Sequence, residues 1–123
     1  MKSSRFVTAL DAVAETTTSS AINIKYAKKV SILFTRASHG SGNHVFTVTA
    51  SLDGTTFVAY NKLVNNAANA NTETILRTAN ITLSANGTSL VSLDLQYDTL
   101  DSIKITATET TDGVASAVVL IEE

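Results

Sequence analysis

The fold class follows from residues 46–57, which read Phe46-Thr47-Val48-Thr49-Ala50-Ser51-Leu52-Asp53-Gly54-Thr55-Thr56-Phe57. Phe46, Val48, Ala50 and Leu52 alternate with hydroxyl residues, and this period of two predicts a strand with one face on a core and one face in water. Asp53-Gly54 is typical of a tight hairpin turn, because both residues tolerate positive φ angles. The chain then returns through Phe57-Val58-Ala59-Tyr60, so this stretch predicts an antiparallel hairpin.

The same period recurs on both sides of this hairpin. The alternating groups are Ile22 and Ile24; Val30, Ile32 and Phe34; Ile81 and Leu83; Val91, Leu93 and Leu95; Ile103, Ile105 and Ala107; and Ala115, Ala117, Val119 and Ile121. Val118 and Leu120 make the last group apolar on both faces, which predicts a central or covered strand. Turns are predicted at Asn86-Gly87 and Asp112-Gly113, and residues 61–73, which contain Asn65–Asn71, are predicted to form a long exposed loop.

These patterns predict an all-β protein. About seven or eight strands at this spacing are typical of an antiparallel β-sandwich, either jelly-roll or immunoglobulin-like. The sandwich domain is predicted to span residues 21–123, preceded by a short N-terminal arm and linker at residues 1–20. In the arm, Phe6, Leu10 and Val13 fit a helical spacing while Val7 and Ala9 fit a strand. The arm either packs onto its own sandwich or reaches a neighbouring subunit.

Composition limits the possible functions. Charged residues make up 16% of the chain and the net charge is −2. Nucleic-acid binding requires a concentrated basic field, and the densest basic group is only Lys25, Lys28 and Lys29, so we expect no nucleic-acid partner. The chain has no cysteine, which excludes disulfides and thiolate metal sites. No segment approaches the ~20 apolar residues that span a membrane, and no secretory signal is evident, so we expect synthesis in a host cytoplasm and no membrane partner.

No motif in the sequence indicates catalysis. His39 and His44 flank a glycine-rich segment, and with Asn43 they form a candidate ligand loop, but zinc needs three or four ligands and no carboxylate lies within the loop. Asp53 and Asp112 are explained by hairpin turns. Neither a nucleophile elbow nor a phosphate-binding loop is present. The chain is therefore predicted to be no enzyme and to bind no cofactor and no metal.

Residues 46–57 resemble a hairpin of small phage-encoded β-sandwich proteins, in which an aromatic-rich strand leads into Ser-Leu-Asp-Gly-Thr-Thr and an aromatic residue. Residues 93–95, 103–107 and 111–117 resemble the closing strands of the same proteins, so the resemblance covers about residues 20–123. The Ser-x-Asp-Gly hairpin also occurs in discoidin-like and other carbohydrate-binding sandwiches. The resemblance implies a virion component, such as a capsid decoration protein or a tail-associated domain.

Three functions remain open from the sequence. The first is a self-associating structural protein of a phage or virus, located in the virion, with itself and other virion proteins as partners. Phe6, Val7 and Leu10 would then anchor the arm on a neighbour's sheet edge. The second is a carbohydrate-binding or adhesion module that binds a glycan through the loops at His39–His44 and Asn65–Asn71. The third is a subunit of a non-viral extracellular filament.

Overall fold

The computed structural model describes residues 3–65, 73–78, 80–93 and 100–123, which fold as an all-β sandwich. In chain order the strands are β1 (Ser4–Val13), β2 (Thr17–Thr18), β3 (Ile22–Asn23), β4 (Lys29–Ala37), β5 (Gly42–Ser51), β6 (Val58–Ala59), β7 (Asn61–Asn65), β8 (Glu73–Thr78), β9 (Ile81–Leu83), β10 (Gly87–Ser92), β11 (Ser102–Thr111) and β12 (Val114–Glu122). The predicted β-sandwich is confirmed. The strands that the sequence did not predict are β2, which has only two residues, and β7 and β8.

One layer is a four-stranded antiparallel sheet in the order β1-β12-β4-β10. Alternate residues of β4 and β12 are buried, which follows from the period of two in their sequences. β12 lies between β1 and β4, so its predicted central position is confirmed. At the end of the sheet the Glu123 amide donates to the Ser3 carbonyl at 2.8 Å.

The other layer is a six-stranded sheet in the order β2-β11-β5-β6, with β3 also paired to β11 and β9 also paired to β5. Phe46, Val48 and Ala50 of β5 point inward, as predicted, and pack with Ile103 and Ile105 of β11. The core joins the two layers where the Phe34 and Phe46 rings stack with their centroids 4.6 Å apart.

The hairpin predicted from residues 46–60 is present, but its turn is not tight. β5 ends at Ser51 and pairs with β6 through Ala50 and Val58, so a longer loop connects the two strands. Side chains hold this loop: Ser51 Oγ accepts from the Gly54 amide at 2.9 Å, and Asp53 Oδ1 accepts from the Thr55 and Thr56 amides at 2.9 Å. Leu52, predicted to face the core, is exposed because it lies beyond the end of the strand.

Two of the predicted turns, and the loop before β5, join strands of different sheets. In three pairs of consecutive strands, one strand belongs to each layer. These pairs are β4 and β5, β9 and β10, and β11 and β12. The prediction of a hairpin turn at Asp112-Gly113 was therefore wrong, and the His39–His44 loop likewise connects the two sheets. The alternation of a strand shows which residues face inward, but it does not show to which sheet the strand belongs.

Residues 61–65 were predicted to lie in a loop, but they form β7, which pairs with β8 as a separate two-stranded sheet. The prediction failed because a hairpin outside the two main sheets has less need of the period imposed by a core. Residues 66–72 of the predicted loop lie outside the described part of the chain.

The predicted N-terminal arm contains β1, which pairs with β12 at the edge of the four-stranded sheet. Of the two arrangements left open by the sequence, the single chain has the first, in which this segment packs onto its own sandwich. Register shifts between Thr8 and Leu10, and again between Leu10 and Val13, turn Leu10 into the core. These bulges explain why the apolar residues of the segment fit neither period throughout.

Candidate functional site

Arg36 is the largest fully buried side chain among the described residues, with 1% of its surface exposed. It lies on the inward face of β4, in phase with Val30, Ile32 and Phe34. Its Nη2 donates to the Ser41 carbonyl at 2.9 Å and to His39 Nδ1 at 3.0 Å, and its Nη1 donates to His44 Nδ1. We call Arg36, His39, His44 and Asp112 the Arg36 cluster.

The guanidinium determines the state of both histidine rings. Because arginine has donors only, each Nδ1 that it contacts must accept, so the rings are neutral and carry their hydrogen on Nε2. His44 Nε2 is buried and has no hydrogen-bond partner. Burial lowers the pKa of His44, and the Arg36 charge lowers this pKa further, against smaller opposing effects of Glu109 and Asp112.

Asp112 closes the cluster from the β11–β12 connection. Its Oδ1 lies 3.6 Å from Arg36 Nη2 and accepts from the Gly40 and Ser41 amides at 2.9 and 3.0 Å. The amide hydrogen bonds are the main reason why the pKa of Asp112 is lowered, and the Arg36 charge lowers it further. A Cβ added at Gly40 would lie 2.4 Å from Asp112 Oδ2, so a side chain there would displace this carboxylate.

The cluster thus joins the places where the chain crosses between the sheets. Arg36 and Asp112 link the β4–β5 and β11–β12 connections, and the His39 amide donates to Asn86 Oδ1 of the β9–β10 connection at 2.8 Å. We conclude that this end of the sandwich is held by one buried guanidinium and the groups around it. The sequence analysis did not identify Arg36, since its neighbours come together only after folding.

The candidate ligand loop is only partly assembled in the structure. His39 and His44 approach each other, but both face Arg36, whose charge would repel a metal cation held between them. Asn43 is adjacent to His44 on β5 and therefore points to the opposite face of the sheet. Across the described ranges there is no group of three or more residues that could hold a metal ion.

The three candidate anchors of the arm differ in accessibility. Phe6 is 74% exposed, Val7 is half-buried and Leu10 is only 2% exposed. Leu10 belongs to the core of its own chain, so it cannot reach a neighbour without unfolding β1. Phe6 remains available for contact.

Phe6 belongs to an exposed apolar area that spans the four-stranded sheet. It pairs with Leu120 of β12, and in the next row Val118, Leu33 and Leu90 lie side by side on β12, β4 and β10. We call these five residues the outer apolar face. Phe6, Leu33, Leu90 and Leu120 are 74%, 41%, 67% and 37% exposed, so most of this area is in contact with water.

Along β12, β4 and β10 the surroundings of the outer apolar face are uncharged except at one end. The other positions of its two rows, and the positions of the adjoining row on these three strands, are hydroxyl residues: Thr8, Ser31, Thr35, Thr88, Ser92 and Ser116. On β1, the exposed Asp11 follows farther along the strand. Lys29 and Glu122 pair in register at one end of the sheet. The outward face of the six-stranded sheet differs, because threonines occupy most of it, including Thr47, Thr49, Thr106 and Thr108.

The sequence contained part of the signal for this face. Leu33 breaks the polar side of β4, and Val118 with Leu120 makes β12 apolar on both sides. The sequence alone does not show that these residues are neighbours, because that depends on the strand order β12-β4-β10 and on the register. Leu90 was not recognised, because the strand was predicted from residues of its inward side, such as Val91, and Leu90 lies on the outward side.

Neither a protein-family model nor a curated protein matches the sequence. Among solved structures, the chain is similar to the SPBc2 prophage-derived protein YomS, with 8% identity, a TM-score of 0.66, and coverage of 100% of this chain and 96% of that one. It is also similar to a chain of infectious bursal disease virus, Gx strain, with 14% identity, a TM-score of 0.53, and coverage of 98% of this chain and 32% of that one. At these identities the similarity shows a shared fold.

A chain from Bacillus endospore appendages, described as disulfide-linked pili, matches more weakly, with 14% identity and a TM-score of 0.41 over 98% of this chain and 83% of that one. In the described residues no helix is long and apolar enough to cross a membrane.

Proposed function

We propose that the protein is a non-enzymatic structural component of a phage or viral particle, which associates with itself and with other virion proteins. The observation that carries this proposal is the outer apolar face, because a monomer has no use for a Phe and three Leu exposed around a half-buried Val on one sheet face. Such a face is typical of a surface covered in an assembly. The particle context is supported by the fold shared with a prophage-derived protein and a viral protein.

The composition of this face suits a permanent contact. Apolar side chains stabilise an interface when they leave water, by about 1.5–3 kcal/mol for full burial of a Leu or Phe. The hydroxyl groups around them can hydrogen-bond across the contact without the desolvation cost of charges. The same physics would serve a capsid, a tail or a filament, so the proposal extends to decoration or construction of any of these.

The structure favours this function over the carbohydrate-binding alternative. That alternative relied on His39, Asn43 and His44 as one binding loop, yet His44 is buried and Asn43 faces the other way. Tyr26 is exposed, but it is not part of the outer apolar face or of the Arg36 cluster. The contact surface on the four-stranded sheet therefore has the stronger support.

The test is the mass of the protein in solution, measured by light scattering over a range of concentrations. We expect the wild-type chain to exceed 12.9 kDa, the mass of one copy. Leu90→Lys places a charge in the outer apolar face. We expect this variant to lower the association constant of the oligomer at least about tenfold, since burying a lysine costs several kcal/mol.

Thr47→Lys is the matched control, because it adds the same charge to the outward face of the other sheet. It should leave the mass unchanged, and thermal unfolding should show that both variants are folded. A wild-type protein that is monomeric at every concentration contradicts self-association. Equal masses for the wild type and Leu90→Lys would show that this face is not the contact.

A further inference from the structure

The free side of β1 is an open sheet edge. β1 is the last strand of the four-stranded sheet, and in the part of the chain that the structure describes it has β12 as its only strand partner. Its first half, from Ser4 to Thr8, pairs with β12 in unbroken register, and the bulges begin only after Thr8. An unbulged edge strand presents a row of main-chain donors and acceptors to another strand.

The direction of these groups follows from one hydrogen bond. The Glu123 amide donates to the Ser3 carbonyl, so the residues that exchange hydrogen bonds with β12 are the odd-numbered ones, including Arg5 and Val7. The main-chain groups of Ser4, Phe6 and Thr8 therefore point away from β12. They are the groups that an added antiparallel strand would use.

The segment is complementary to itself about Phe6. If a second copy pairs antiparallel with Phe6 opposite the partner's Phe6, then Ser4 lies opposite the partner's Thr8, and these are the residues with outward main-chain groups. Two hydroxyl residues meet at each end and two exposed aromatic rings meet at the centre, which are favourable cross-strand pairs. Arg5 would lie opposite the partner's Val7, so no like charges are opposed.

The one charge on this segment does not protect the edge. Arg5 Nη2 donates to the Asn23 carbonyl at 2.7 Å and Arg5 Nε lies 3.3 Å from Glu123 Oε1, so its guanidinium is held against its own chain. Natural edge strands are commonly protected by free charges, proline or bulges. Between Ser4 and Thr8 there is neither a proline nor a bulge.

Space for the partner's side chains is present beside the edge. A cleft of about 230 Å³ lies between β1 and residues 19–23 of the other sheet, lined by Arg5, Val7 and Ala9 on the β1 side. Side chains on the inward face of an added strand would be directed toward this cleft. Those on its outward face would continue the outer apolar face.

We propose that two copies of the chain pair through β1 about a two-fold axis at Phe6, which joins their four-stranded sheets into one sheet of eight strands. This inference deepens the proposed function and rests on it, since it names the partner as a second copy and adds the β1 edge as a contact beside the outer apolar face. The row Leu120–Phe6 then continues into the partner's Phe6 and the partner's Leu120. One apolar face, twice as large, results.

A cysteine cross-link tests this geometry directly. The chain has no cysteine, so Phe6→Cys introduces a single thiol per copy. In the proposed pairing the two Cα atoms at this position lie about 5.5 Å apart, within the distance of about 4.4–6.8 Å that a disulfide spans. We expect mild oxidation to convert most of this variant to a covalent dimer. Leu52→Cys, in an exposed loop away from β1, should form little covalent dimer under the same conditions.

A proline pair tests the main-chain contacts. Thr8→Pro removes an amide that points to the partner, and because this amide does not face β12 the chain should remain folded. We expect the dimer dissociation constant to rise at least about tenfold, since two symmetric hydrogen bonds are lost. Thr88→Pro is the matched control at the opposite edge of the sheet. The Leu93 amide donates to the Val30 carbonyl, so by the same alternation the Thr88 amide points away from β4 and its loss should leave the chain folded.

The outcomes separate this inference from the proposed function. A wild-type oligomer with no Phe6→Cys cross-link and with an unchanged mass for Thr8→Pro contradicts the β1 pairing and leaves self-association standing. Stronger weakening by Thr88→Pro than by Thr8→Pro would place the contact at β10 instead. A wild-type chain that stays monomeric overturns both.

Discussion

At the scale of single residues, the most unusual feature is the charged side chain of Arg36 at a position of β4 where the alternation predicts a buried apolar residue. Arg36 takes the place of a core residue at the end of β4, and its position there is stable only because Ser41, His39 and His44 supply acceptors. The sequence predicted the inward phase of β4 correctly, but it did not predict these partners. They come from a loop whose path is set by tertiary structure.

Arg36→Met should destabilise the protein by about 2–4 kcal/mol, because His44 Nδ1 would remain buried without its donor and the part-buried Ser41 carbonyl would lose one. The measurement is urea unfolding at neutral pH. Lys28→Met, at an exposed position, is the control and should change the free energy of unfolding by less than about 0.5 kcal/mol. An equally small effect of Arg36→Met would show that methionine packing compensates for the lost hydrogen bonds.

His44 should make the stability depend on pH in the neutral to mildly acidic range. Its pKa is lowered from 6.5 in the folded state, so the folded chain binds fewer protons than the unfolded chain. The contribution of His44 to the free energy of unfolding is therefore fully present above pH 6.5. It is lost as the pH falls from 6.5 toward the lowered pKa that His44 has in the folded state. The pKa of Asp53 is lowered from its ordinary value of 3.8 to about 2, so this group affects the free energy of unfolding only at more acidic pH.

The check is the free energy of unfolding at a series of pH values from 7.5 to about 5, for the wild type and for His44→Gln. Glutamine keeps an acceptor for Arg36 but does not titrate. We expect the free energy of unfolding to depend less steeply on pH in the variant, because the titration of His44 no longer contributes. Equal slopes in both proteins would assign the pH dependence to other groups.

At the scale of strands and connections, the chain uses glycine where a strand starts immediately after a crossing. Gly42, the first residue of β5, has a φ of +76°, and a Cβ added there would lie 1.8 Å from the Thr110 carbonyl oxygen of the neighbouring strand. Both constraints apply at once, so no rearrangement of a flexible side chain can relieve them.

Gly42→Ala should therefore destabilise the protein by about 2–3 kcal/mol, the sum of a strained backbone and a contact with the backbone of β11. Gly87→Ala provides the matched control, since a Cβ at the start of β10 meets nothing within 4 Å. It should be neutral or slightly stabilising. Thermal unfolding of the two variants side by side decides this, and similar melting temperatures would contradict the assignment.

The strands themselves were the predictable elements. The inward residues of β4, β5, β11 and β12 are those that the period of two identified, because a residue buried between two layers must be apolar. The connections were less predictable. Asp112-Gly113 has the sequence of a hairpin turn, yet it carries the chain from one sheet to the other, and local turn propensity is the same in both cases.

At the scale of the whole molecule, the two outward faces differ in a way that only the assembled sheets show. One face is mainly threonine and the other has the outer apolar face at its centre. The charged fraction of the sequence is only 16%, which agrees with the small number of charges on this face. Composition did not show on which sheet this face lies. Of the three anchors predicted in the arm, Leu10 belongs to the core, whereas Phe6 is exposed and Val7 is half-buried beside the β1 edge.

The pairing of β1 with β12 also determines how the molecule responds to a pulling force. Ser3 and Glu123 lie side by side, joined by one hydrogen bond, on strands that run in opposite directions. Tension applied at Ser3 and Glu123 would open the ladder one bond at a time from this side, instead of loading all of its bonds together. A particle or filament that must resist stretching would therefore transmit tension through the sheet faces and edges of this domain, and not between these two positions.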